Sequence, residues 1–407
     1  MPITRADMEE LDRADPLASF RDEFSLPDGV IYLDGNSLGA LPRATAGRVA
    51  AVMEQEWGRG LIRSWNDAGW IGLAEKVGDK IGRLLGAPPG TVIAADSTSV
   101  NLFKLLGAAL TMRPGRRVIL SEAGNFPTDL YIAEGLVALL GQTHELRTVP
   151  AADLAAALNQ DVAVVMLTHV NYQTGAMLDM AALTSAAHAA GGLILWDLAH
   201  SVGAVPVDLV AADADFAVGC GYKFLNGGPG APAFLYVAAR LQAEARYPLT
   251  GWLGHAEPFA FFPSYSPAPG VARAVVGTPS ILAMAALEVG VDIALRVPME
   301  QIQTKSLAQS DVMIAVAAQE CPGLALATPT QRGSQVSFRH PDAYAVMQAL
   351  IFRGVIGDFR TPDVLRFGIT PLTLRYAELW DAVAALRDVL AKETWREERF
   401  QVLNRVT

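Results

Sequence analysis

Short runs rich in Val, Ile and Leu recur along the middle of the chain, at residues 91–95, 117–121, 162–168, 192–197, 215–220 and 231–237. A strand with one face in water alternates apolar and polar residues. A strand apolar on both faces needs cover on both. These runs are separated by Ala-rich stretches with helical spacing and by turn-forming sequence, and this alternation predicts βαβ units in a mainly parallel, doubly wound α/β sheet. Ahead of them, Val77, Ile81, Leu84 and Leu85 recur at helix spacing, and Gly86 with Pro88-Pro89-Gly90 ends that helix. Residues 1–45 read as an extended N-terminal arm with a short strand at 30–33 and the turn-rich run Asp34-Gly35-Asn36-Ser37-Leu38-Gly39, packing with the small domain. Residues 46–283 read as the large domain. Residues 284–407 read as a smaller α+β C-terminal domain with strands at 335–338 and 364–367 and a helix at 344–352. Pro- and Gly-rich sequence between 247 and 279, with the run Phe259-Ala260-Phe261-Phe262, predicts loops used in function or at an interface.

With 407 residues, 51% hydrophobic and 18% charged, the chain has material for a large core and too little charge for disorder. Forty-two acidic against 32 basic residues argue against a general nucleic-acid binder. Two cysteines, Cys220 and Cys321, exclude a disulfide scaffold. The opening residues are acidic and carry no apolar signal-peptide core, and no run approaches the roughly 20 apolar residues of a membrane span. The expectation is a cytoplasmic enzyme that binds neither nucleic acid nor membrane. Six histidines without metal-ligand spacing predict no metal site.

Three segments carry candidate chemistry. Asp96-Ser97-Thr98-Ser99-Val100-Asn101 lies between a strand and a helix, where free N–H groups and hydroxyls suit a phosphate. Ser and Thr there also serve as plain helix caps. Asp197 ends an apolar strand in Leu195-Trp196-Asp197-Leu198-Ala199-His200, the edge at which α/β sheets bind ligands. It can hold a cationic ring nitrogen, ligate a metal or cap a helix, and His200 beside it can be structural. Lys223 follows a third strand in a glycine-rich loop, between Tyr222 and Phe224. A desolvated lysine attacks aldehydes, whereas a snorkelling one is inert. Together, a phosphate cup, an acid and an amine match pyridoxal 5'-phosphate. The 26 residues from Asp197 to Lys223 permit a strand–helix–strand step that returns both to one edge.

Nearly the whole chain resembles the kynureninases, pyridoxal-phosphate hydrolases of the aminotransferase-like superfamily with the type I fold, and is closest to bacterial members. The resemblance is carried by Tyr32-Leu33-Asp34-Gly35-Asn36-Ser37-Leu38-Gly39, Gly60-Leu61-Ile62-Arg63-Ser64-Trp65-Asn66, Asn125-Phe126-Pro127-Thr128-Asp129-Leu130-Tyr131, the Asp197 and Lys223 segments, Gly251-Trp252-Leu253-Gly254-His255 and Arg366-Phe367-Gly368. It implies hydrolysis of L-kynurenine at the Cβ–Cγ bond to anthranilate and L-alanine, a step of tryptophan catabolism, with some activity on 3-hydroxykynurenine.

The resemblance also implies roles. Lys223 would form the Schiff base with the cofactor and move the substrate's α-proton, and Asp197 would pair with the pyridine nitrogen. Phe126 would stack on the ring, His200 lie beside Asp197, and Thr168 meet the ring substituents. Thr98, Ser99, Asp129 and Tyr222 would surround the phosphate end. Trp252 and Thr278 would reach the phosphate from the neighbouring subunit of a homodimer. Tyr222 is the expected proton donor of the later steps. Arg366 would clamp the substrate carboxylate, since among Arg360, Arg366 and Arg375 it follows the apolar pair Val364-Leu365 and matches the family motif. Trp65, Gly277 and Thr278 stand where relatives that favour the hydroxylated substrate carry polar groups, so unsubstituted kynurenine is the expected preference. A cysteine desulfurase of the same fold would need a mobile nucleophilic thiol, and neither cysteine is well placed for that.

Overall fold

The computed structural model describes residues 2–141 and 143–404. The apolar runs form the central sheet: β1 (Val92–Ala94), β2 (Val118–Glu122), β4 (Val162–Thr168), β5 (Leu193–Asp197), β6 (Phe216–Gly219) and β7 (Phe234–Val237), joined by β3 (Glu145–Val149). Their order is β1-β7-β6-β5-β4-β2-β3. From β6 to β3 all neighbours run parallel, and β7 is antiparallel to both β1 and β6. Every residue of β4 and β5 is buried, as expected for strands covered on both faces. The edge strand β3 was not anticipated. Its residues Glu-Leu-Arg-Thr-Val are only half covered, so it lacks the apolar signature of the interior strands.

Two further differences concern connections. Residues 198–215 contain no helix, so the step from Asp197 towards Lys223 is strand–turns–strand. Leu198, Val202, Val205 and Leu209 on this connection are buried and recur at helix spacing, yet the chain there forms successive turns rather than a helix. The first 45 residues are not simply extended. Arg5–Ala14 is a helix, opened by a capping box in which the Thr4 hydroxyl and the Asp7 carboxylate satisfy each other's backbone N–H. It is too polar to announce itself by an apolar stripe. Its Met8 packs against Tyr376 and Ala377, and Asp12 accepts from the N–H groups of Tyr376 and Ala377 at the start of helix Tyr376–Ala391. A buried ion pair of 2.6 Å between Asp15 and Lys305 adds a second tie.

A second core lies around β8 (Ala325–Leu326), β9 (Gln335–Arg339), β10 (Asp358–Arg360) and β11 (Val364–Gly368), an antiparallel sheet of order β8-β9-β11-β10. Helices Met299–Glu320, Ala343–Ile351 and Tyr376–Ala391 contribute to it. The apolar helix Ile281–Ala294 belongs to the first core through Met284, Leu287, Val291 and Ala294. The change from one core to the other therefore falls after this helix rather than at residue 284. Among the described residues no helix is long and apolar enough to cross a membrane.

Candidate active site

The register of the parallel strands sets the site. Thr168 at the end of β4 pairs with Asp197 at the end of β5, and Asp197 pairs with Val218 of β6. Three carboxyl ends thus stand side by side at one sheet edge, the place where open α/β sheets bind ligands. Beyond β6 the chain folds back tightly: Asn226 N–H donates to the Lys223 carbonyl and Gly227 N–H to the Gly221 carbonyl, both at 2.9 Å. Gly39 of the turn-rich run donates its N–H to the Tyr222 carbonyl at 2.8 Å. A Cβ at Gly39 would stand 2.2 Å from the Lys223 carbonyl oxygen, so only glycine permits this close approach.

A cavity of about 620 Å3 opens over this edge, lined by Thr98, Ser99, Phe126, Asp129, Thr168, Asp197, His200, Tyr222 and Lys223, with Leu38 and Cys220 at its wall. Its size suits a cofactor-sized ligand. At one side helix Thr98–Met112 begins, with the Ser97 hydroxyl accepting from Val100 N–H. Thr98 and Ser99 line the cavity at this helix start, where the first N–H groups lack intrahelical acceptors and suit an anion. Asp96, held at φ 50°, pairs with the buried Lys104, which also donates to the Ala274 carbonyl at 2.6 Å. Lys104 is thereby committed to holding the loop.

Asp197 and Asp129 are both buried. Burial pushes the Asp197 carboxyl up, against the pull of Lys223, the Ala199 N–H at 2.8 Å and Thr168. Burial pushes Asp129 well above the carboxylate range, and the charge of Asp197 pushes it further. Asp129 lies 3.4 Å from the Thr168 hydroxyl. Asp129 thus stands close to Thr168 and Asp197 in the cavity that Thr98 and Ser99 also line. Thr168 also donates to Asn125 Oδ1, which accepts from Phe126 N–H at 2.7 Å, while Asn125 Nδ2 donates to Ser121 at 3.0 Å. This polar network fixes Phe126 at the start of helix Pro127–Leu139.

Lys223 Nζ lies 5.9 Å from the Phe126 ring centroid, 5.8 Å from that of Tyr222 and 3.2 Å from His200 Nε2. His200 is held neutral by burial and by the nearby positive charges of Lys223 and Arg366, and its Nε2 is also 3.1 Å from the Asn36 carbonyl. Burial raises the Tyr222 hydroxyl, which stays a proton donor at neutral pH.

The remaining expected residues stand apart from this cavity. Trp65 packs edge-on against Trp70 at 6.0 Å, and Trp252 against Phe259 at 5.7 Å. Gly277 and Thr278 line an adjoining cavity of about 360 Å3 that shares Asp96 and Gly230 with the first. Arg366 is fully buried behind the wall. Its Nη2 donates to Asp358 and, at 2.6 Å, to Ser37, and its Nη1 donates to the Tyr172 carbonyl at 2.8 Å. Tyr172 packs on Phe126, which connects Arg366 to the cavity. Asp358 was missed by sequence reasoning, although a hairpin closing on residues 361–363 sets it opposite Arg366.

Nearby, burial and the charge of Asp358 raise Asp34 from 3.8 to about 7, with Arg366 opposing. Between those two values the folded chain keeps a proton that the unfolded chain has released. Stability from this group is therefore present at acid pH and lost as pH rises through about 7. Asp34→Asn removes the loss. Its melting temperature is expected to exceed that of the parent by about 2–4 °C at pH 8, with the gap shrinking towards pH 5. A gap independent of pH in calorimetry contradicts this assignment.

Residues 302–386 match the profile of the kynureninase C-terminal domain. A kynureninase of Burkholderia pseudomallei (strain 1106a) is 54% identical over 414 residues, covering 99% of this chain and 100% of the relative. The chain belongs to the kynureninase family. A kynureninase of Pseudomonas fluorescens is 53% identical over the same coverage. Among solved structures, a C-DES mutant with glycine covalently linked to its PLP cofactor superposes with a TM-score of 0.79 at 20% identity, covering 90% of this chain and 99% of that one. A cysteine desulfurase from Thermococcus onnurineus NA1 gives 0.78 at 18% identity, covering 92% and 98%. At such identities the likeness establishes the type I fold that kynureninases share with these enzymes, and full-length kinship carries the family.

Proposed function

We propose that the chain hydrolyses L-kynurenine with water to anthranilate and L-alanine, using pyridoxal 5'-phosphate. Full-length kinship to kynureninases carries this reading, and the cavity fits the cofactor. The two buried carboxyls, Asp197 and Asp129, have Lys223 as their nearby counter-charge and are relieved by a cationic ring N–H. The helix start at Thr98 suits the phosphate, and Lys223 supplies the amine. Bound there, pyridoxal phosphate supplies an aldehyde for imine exchange and a ring that delocalises the electron pair left at the substrate's α-carbon.

The chain's own residues do the rest. Asp197 would hold the ring nitrogen protonated, and Phe126 would stand over the ring. Lys223 would take the α-proton. Arg366 orients the α-carboxylate. Water adds to the γ-carbonyl and the Cβ–Cγ bond breaks, its hydroxyl staying with anthranilate and the electron pair passing to the three-carbon fragment. Tyr222 would give that fragment the proton at Cβ, recovering it from the water, and Lys223 would return the one at Cα, so that it leaves as alanine. Tyr222→Phe is expected to lower kcat by about a hundredfold, with the loss in the steps after α-proton removal. Unchanged anthranilate release and unchanged alanine formation would remove Tyr222 from the mechanism.

A homodimer and a cytoplasmic location are part of the same proposal. Trp252, Phe259, Phe261 and Phe262 are exposed together, the kind of apolar surface that marks an interface. Thr278 is exposed beside the cofactor cavity, which favours a role across that interface for Trp252 and Thr278. The preference for unsubstituted kynurenine rests on Trp65, Gly277 and Thr278 in that assembly, and a higher kcat/KM for 3-hydroxykynurenine would overturn it. A desulfurase reading is disfavoured, since both cysteines are buried.

A further inference from the structure

We propose that Arg360 is a positioning residue that draws Asp358 away from Arg366 when the substrate carboxylate docks. The inference rests on the reading of Arg366 as the carboxylate site.

Three charged side chains form a row on the small sheet. Asp358 and Arg360 lie two apart on β10, hence on one face, and Asp358 stands opposite Arg366 of β11. Arg360 grips both oxygens of Asp358, with Nη2 at 2.6 Å from Oδ2 and Nη1 at 3.0 Å from Oδ1. Arg366 meets Oδ2 through Nη2, and the Ser37 hydroxyl donates to the same oxygen at 3.0 Å. Asp358 and Arg366 are buried, while Arg360 is about a third exposed at 32%.

The donor pattern of Arg366 shows what docking requires. A carboxylate binds a guanidinium best through two parallel N–H bonds. On the side-on edge these are Nε–H and one Nη2–H. The buried Nε–H has no hydrogen-bond partner among the described residues. Nη2 is engaged by Asp358 and by Ser37. A bidentate carboxylate therefore finds one donor ready and the other shared with a resident carboxylate. Asp358 thus takes part of the place that the substrate carboxylate needs.

Arg360 resolves the conflict. Because it already holds both Asp358 oxygens, Asp358 can release Nη2 and keep a bidentate cation. The exchange starts as one carboxylate between two guanidiniums and ends as two separate pairs. Without Arg360, Asp358 and the substrate carboxylate meet on a single buried guanidinium, and like charges there disfavour each other.

The test is steady-state kinetics on cofactor-loaded Arg360→Gln, Asp358→Asn and the double variant, with inhibition by a substrate analogue that keeps the amine but lacks the α-carboxylate. Arg360→Gln is expected to raise KM for kynurenine about tenfold with kcat within about twofold, the scale of one charge-assisted contact. Adding Asp358→Asn removes the resident carboxylate and is expected to return KM to within about threefold of the parent. The analogue should inhibit Arg360→Gln as it inhibits the parent. An unchanged KM in Arg360→Gln, a double variant as impaired as the single, or an analogue weakened equally would each overturn the proposal. Arg366→Gln tests the underlying reading separately. It should weaken kynurenine and spare the analogue, and equal weakening of both would remove Arg366 from carboxylate binding whatever Arg360 does.

Discussion

Lys223→Ala is expected to lose kynurenine hydrolysis by about a thousandfold or more in kcat, while the protein still holds pyridoxal phosphate without a covalent bond. Lys223 is the only lysine lining the cavity among the described residues. The other buried lysine close by, Lys104, is tied to Asp96 and the Ala274 carbonyl. The proposed phosphate site at Thr98 and the carboxylate of Asp197 do not depend on Lys223, so cofactor affinity should fall far less than activity. The parent should be yellow and bleached by borohydride. The variant should lack that band and still release cofactor on denaturation. A borohydride-sensitive band retained in Lys223→Ala would mean that another amine does the work.

Asp197→Asn is the second large effect, an expected loss of about 10^2 to 10^4 in kcat. An amide of the same shape keeps the Ala199 N–H contact but carries no charge to hold a ring nitrogen protonated. Asp129 shares the site and feels Asp197, so removing one charge lowers the resistance of the other to ionising. Asp129→Asn is therefore expected to cost less, within about tenfold, because Asp197 then stands with Lys223 as its counter-charge. Cofactor content measured after gel filtration separates lost chemistry from lost binding. If Asp129→Asn proves the more damaging of the two, the role assigned to Asp197 passes to Asp129.

The interior strands are legible in the sequence because burial on both faces leaves only apolar residues, as in Val162–Thr168 and Leu193–Asp197. Asp197 stands out for the same reason, as the charged last residue of such a run, and Lys223 as the lysine in the glycine-rich loop four residues past the end of β6. The edge strand Glu145–Val149 and the helix Arg5–Ala14 escaped because each is mostly solvated and its partners lie elsewhere in the chain. The grouping of Asp129 with Asp197 depends on the first turn of helix Pro127–Leu139 reaching Thr168 at the end of β4, which spacing does not encode. Arg366 was found by its motif, but its engagement with Asp358 and Ser37 is a tertiary property of a hairpin and a distant turn. Trp65, Trp252, Gly277 and Thr278 stand outside that cavity.

The most direct measurement of the central claim is product analysis. Cofactor-loaded protein is mixed with L-kynurenine, anthranilate is followed by its fluorescence, and alanine is quantified in the same samples. Equal amounts of anthranilate and alanine are predicted, with kynurenine turned over faster than 3-hydroxykynurenine and no alanine from cysteine. Alanine from cysteine with no anthranilate from kynurenine would contradict the account and place the chain's chemistry with the desulfurases of the same fold.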